Sequence, residues 1–79
     1  MQTMPLLVIE ILSPRQSIDE ILENFKIYFK LGVKSCWLIL PPLQSVSVFS
    51  APHREKTFTQ GEVIDDVLDI RLSTEKIFQ

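Results

Sequence analysis

Residues 5–14, PLLVIEILSP, decide how the rest of the chain is read. Leu6 to Leu12 are apolar except for Glu10. An apolar run of that length reads as a β-strand covered on both faces, since a half-exposed strand would alternate. Pro14 ends it, because proline has no amide to donate and restricts Ser13 before it. A carboxylate inside the run needs a reason, since an unpaired buried charge is costly. Glu10 binds a metal, pairs with Arg15 or a helix residue, or reaches water at the strand end. Residue type alone leaves these open.

Working outward, Ser17 is a good helix N-cap, and Glu20 three residues on completes a capping box. Ile18, Ile21, Leu22, Phe25, Tyr28, Phe29 and Leu31 recur at three- and four-residue steps, one apolar face of an amphipathic helix. Acids lead and lysines follow, as the helix dipole favours. Gly32 suits the C′ position that closes the helix. SCWLIL, Ser35 to Leu40, reads as a second strand. Strand, helix and strand with short links make a βαβ unit, so the strands are expected to be parallel with a right-handed crossover. Pro41 and Pro42 force a turn. QSVSVFS, residues 44–50, alternates small polar and apolar residues, the pattern of a half-exposed strand, and is expected to pair antiparallel with 35–40. APHRE is a loop, KTFTQ a short edge strand ended by Gly61. EVIDDVLDIRL is compatible with loop, strand or helix, and STEKIF gives a short terminal helix at best. The fold class is α/β: a mixed sheet built on a βαβ unit and followed by an antiparallel hairpin.

The chain has 79 residues, one small domain spanning 1–79. A domain this small buries only about 60% of the surface its unfolded chain exposes, so it usually needs a staple. One cysteine cannot form an internal disulfide, and no Cys/His set could hold zinc. With 46% hydrophobic residues, the remaining staple is another chain, and a homodimer is expected. The net charge of −2 argues against a broad basic nucleic-acid surface, though a local one could use Arg15, Lys26, Lys30 and Lys34. No apolar stretch reaches the roughly 18 residues of a membrane span, so no membrane partner is expected. The lone cysteine and the lack of a visible signal peptide point to the cytoplasm.

Other residues carry little chemistry. Asp65, Asp66 and Asp69 match no calcium loop and read as a solvated turn. His53 lies in a loop without a second His or a Cys ligand. Cys36 lacks a catalytic partner and reads as a small core residue. Two glycines cannot build a phosphate loop.

Taken together, PLLVIEILSP, the helix with Tyr28, LGV at 31–33 and WLIL from Trp37 resemble the Uma2 family (DUF820), restriction-endonuclease-like proteins abundant in cyanobacteria. The family pattern runs Pro-Asp-Leu-apolar-apolar-Glu-apolar-apolar-Ser-Pro, then a helix ending Tyr-x₃-Gly-Val, then Tyr-Trp-Leu-Val-Asp. SVSVFS and STEKIF also fit its closing strand and tail. The resemblance covers most of this chain but only about the C-terminal half of a usual member, and so implies a truncated one. It implies a PD-(D/E)xK nuclease fold, here a half-domain, whose strand carboxylates hold Mg²⁺ to activate water on DNA. Glu10 matches the strand glutamate and metal ligand, Glu20 an acidic helix position, and Asn24 the position of the helix lysine. Lys26, two positions on, is about 200° round the helix. Leu6 and Leu40 replace aspartates of the pattern. The expectation is a Uma2-type protein that is inactive alone and persists as a dimer, with Glu10, Glu20 and Asn24 as vestigial site residues and no cofactor unless Mg²⁺ serves an active form. The competing readings are a Mg²⁺-dependent DNA endonuclease assembled across a dimer and a protein-binding or regulatory module.

Overall fold

A computed structural model describes residues 5–78. Strand β1 (Leu7–Ile11) leads through a turn to helix α1 (Ile18–Lys30) and strand β2 (Ser35–Leu40). A 3₁₀ turn at Pro41–Leu43 joins β2 to β3 (Ser45–Ala51), and β4 (Arg54–Phe58) follows. The chain closes with β5 (Glu62–Asp65), β6 (Ile70–Ser73) and the single-turn helix α2 (Thr74–Ile77).

The main sheet has the order β1-β2-β3-β4. β1 and β2 are parallel, with Glu10 opposite Leu38, and the next two pairings are antiparallel. The βαβ unit and the antiparallel continuation are those expected from the sequence. β5 and β6 form a separate antiparallel hairpin, which resolves the ambiguous EVIDDVLDIRL segment as strand, turn, strand.

The sheet is buried between two apolar clusters. On the helix side, Ile21 and Phe25 pack on Val33, Cys36, Leu38 and Phe49, with Val8 and Leu12 at the margin. The rings of Phe25 and Phe49 meet edge-on at 5.3 Å, a favoured aromatic geometry. On the other side, Trp37, Ile39, Val46 and Val48 pack on Val63 of the hairpin. The hairpin explains why β3 is buried on both faces and not half-exposed: Ser45 and Ser47 of QSVSVFS occupy the helix side, where Ser47 and Thr57 share a 2.9 Å hydrogen bond.

Local signals are honoured at both ends of α1. The Ser17 hydroxyl accepts a bond from the Glu20 amide at 3.1 Å, one half of the expected capping box. Gly32 adopts φ 104°, open to glycine at little cost. The Gly32 amide bonds the Phe29 carbonyl and the Val33 amide the Tyr28 carbonyl, a Schellman motif. Among the described residues no helix is long and apolar enough to cross a membrane.

Candidate functional site

β-strand alternation puts Glu10 with Val8 and Leu12 on the helix side of β1. It is half-buried, near the carboxyl end of a strand at the edge of the sheet. Neither ion pair among the described residues uses it. Lys26 is committed to Glu23 at 3.1 Å, and Lys56 to Asp66 at 3.4 Å. The expected alternative of a pair with Arg15 is therefore not formed, and the half-buried carboxylate has no ion-pair partner among the described residues. Its field is felt nearby. Burial, and then the Glu10 charge, push the Cys36 thiol up to about 11. A thiol held neutral in this way is inert.

Helix periodicity places Glu20, Asn24, Ile27 and Leu31 on one flank of α1. The other flank carries Lys26, Phe29 and Lys30, which line a groove with Pro52 and His53 of the β3–β4 turn. The first flank is thus turned toward β1. Glu10, Glu20 and Asn24 occupy the same side of the molecule, but Glu20 and Asn24 are exposed and neither side chain bonds Glu10. Of the basic residues considered for a local nucleic-acid site, Lys26 and Lys30 share the groove, and Arg15 and Lys34 do not line it.

The largest departure from expectation is Asp65. It lies not in a solvated turn but 1% exposed beneath the sheet. The indole nitrogen of Trp37 donates to its Oδ2 at 2.8 Å. The amides of Val67 and Leu68 donate to its Oδ1 at 3.0 and 3.1 Å. Burial pushes the carboxyl up. The bonds from Trp37, Ser35 and the Leu68 and Val67 amides outweigh it and hold the group below the usual carboxylate range. The buried Ser35 hydroxyl lies close enough to help hold the charge, although it completes no hydrogen bond of good geometry. The hint in the sequence was Trp37 itself: a buried indole N–H requires an acceptor, and the acids at 65–69 were available.

Asp65 cannot supplement Glu10. It bonds Trp37, on the face of the sheet opposite Glu10, and its oxygens are already taken. A cavity of about 200 Å³ beside it, lined by Arg54, Lys56 and Asp66 among others, contains no Glu10. Among the described residues no three His, Cys, Asp or Glu side chains converge. The octahedral anchoring that Mg²⁺ demands is not met by one strand glutamate between apolar neighbours. The donor set among the described residues does not fit the ion.

Three comparisons bear on the whole chain. The Uma2 family model, described as "Putative restriction endonuclease", matches residues 1–75. The crystal structure of a "putative nuclease belonging to DUF820" from Anabaena variabilis superposes with a TM-score of 0.78 at 29% identity. The match covers 94% of this chain and 44% of that one, so the chain spans less than half the length of this solved structure. No curated protein sequence matches.

Proposed function

Because the chain belongs to the Uma2 family, we propose that it is a restriction-endonuclease-like module that does not hydrolyse DNA by itself and works as a dimeric fold unit. The observation that carries this reading is the isolation of Glu10. Hydrolysis of a phosphodiester by this class of site needs a divalent ion held by several oxygens, with water and the leaving oxygen brought into line. Glu10 offers one carboxylate. Its neighbours Val8, Leu12 and Leu38 offer none, and the remaining buried acid, Asp65, is sequestered behind the sheet. At the positions where the family pattern carries aspartate and lysine stand Leu6 and Asn24. Asn24 can donate a hydrogen bond but cannot supply the charge that steadies a developing oxyanion. Glu10 is thereby a ligand waiting for oxygens that this stretch of chain does not bring to it.

The test is incubation of the purified chain with supercoiled and linear DNA over a wide range of Mg²⁺ and Mn²⁺ concentrations. No cleavage above a metal-free control is expected. Metal-dependent cleavage that disappears in Glu10→Ala would overturn the reading and favour an endonuclease site shared between chains.

A further inference from the structure

The free edge of β1 has a definite hydrogen-bonding phase. Leu6 O accepts from Ser35 N at 3.1 Å, and Leu12 N donates to Ile39 O at 3.0 Å. In a parallel pair a residue turns both its amide and its carbonyl to one neighbour, and the next residue turns both away. Leu6, Val8, Glu10 and Leu12 therefore face β2. Leu7, Ile9 and Ile11 present their amides and carbonyls outward, and no backbone bond among the described residues reaches them. Ile9 and Ile11 are 47% and 58% exposed. Such an edge is a template for another strand. The opposite edge of the sheet is not: β4 is REKTF, with Arg54, Glu55 and Lys56 exposed along it, and charges on an edge discourage pairing.

We infer that β1 pairs antiparallel with β1 of a second copy, about a two-fold axis at Ile9. Centred there, Ile9 meets Ile9 of the second copy, and Leu7 meets Ile11 at both ends. All three are hydrogen-bonded pairs, so every outward amide and carbonyl finds a partner. Centring on Glu10 would instead set carboxylates opposite each other, with their amides turned inward. The flank of α1 above the edge carries exposed Ile27 and Leu31, which extend the apolar surface onto the helix.

The inference rests on the proposed dimeric module and adds the place and register of contact, with a consequence for the site. Glu10 falls opposite Val8 of the second copy, so the two Glu10 carboxylates stand diagonally on the same face, their Cβ atoms about 7 Å apart. The site becomes one to which both chains contribute. Their repulsion should make Glu10→Gln tighten the dimer a few-fold at low salt, and less at high salt.

Sedimentation equilibrium on the full chain should return twice the chain mass. Ile9→Pro removes only an outward amide, which an edge strand tolerates, and should return the single mass with unchanged helical circular dichroism. Ile9→Lys gives the same reading should the proline variant fail to fold. Register is read by oxidation. Ile9→Cys should cross-link to itself, since facing residues in a hydrogen-bonded pair lie about 5.5 Å apart. Ile11→Cys should not, and the buried Cys36 is too unreactive to interfere. A wild-type monomer, a dimer surviving both Ile9 variants, or equal cross-linking at 9 and 11 would overturn the inference. DNA cleavage by an Ile9-centred dimer would overturn the functional proposal and leave the interface standing. A dimer that survives both Ile9 variants and fails to cleave DNA would do the reverse.

Discussion

Two carboxylates divide the chemistry of this chain. Asp65 is satisfied by an indole and two amides and acts as a rivet between the hairpin and the sheet. Glu10 has no ion-pair partner among the described residues. Asp65→Ala should cost about 3 kcal/mol, because it orphans a buried indole N–H and two amides; urea denaturation followed by Trp37 fluorescence measures it. The folded-state pKa of Asp65 is depressed. Its stabilisation is therefore fully present above the ordinary aspartate value of about 3.9 and is lost as pH falls through the lower folded value. The acid limb of the stability profile should be steeper in wild type than in Asp65→Asn. Glu10→Gln should be neutral or stabilising, since no partner is orphaned by removing the charge. A loss of several kcal/mol in thermal or urea unfolding would instead mean that Glu10 holds a paired structural role. Glu10, Glu20 and Asn24 were named from the sequence as candidates, and the fold leaves Glu20 and Asn24 exposed and unbonded to Glu10. The environment of Asp65 was not, because burial of an acid is decided by a tryptophan 28 positions away in the chain.

Among the elements, α1 and its flanking strands were legible almost to the residue. Period, cap and closing glycine agree there, and each is a local property of the chain. Ser17→Ala should destabilise by about 1 kcal/mol through loss of the cap to the Glu20 amide, seen as an earlier thermal transition with unchanged native helicity. Gly32→Ala should cost a similar amount, because the left-handed φ of 104° strains any Cβ. The β5–β6 hairpin escaped the sequence reading for a physical reason. Its strands are short, and EVIDDVLDIRL mixes acids and aliphatics without a sustained period of two. Its strand character comes from docking Val63 and Asp65 onto β2 and β3, a tertiary cause. β3 misled in the same way: serine alternation looked like exposure until α1 and the hairpin covered both faces.

At the scale of the whole molecule, fold and activity separate. The Uma2 match and the superposition on the Anabaena variabilis structure establish a nuclease-type frame over nearly all of this chain. The frame keeps its core through two apolar clusters that make no use of Glu10, so the fold does not depend on that glutamate. What a divalent ion requires is more oxygens than the described residues gather at one point, and the proposed self-association through β1 would add only the same glutamate again. Titration of the purified chain with Mn²⁺, followed by loss of the free-ion electron paramagnetic resonance signal, tests that claim directly. No saturable binding tighter than about 1 mM is expected from so few carboxylate ligands. A saturable micromolar site that vanishes in Glu10→Gln would contradict it.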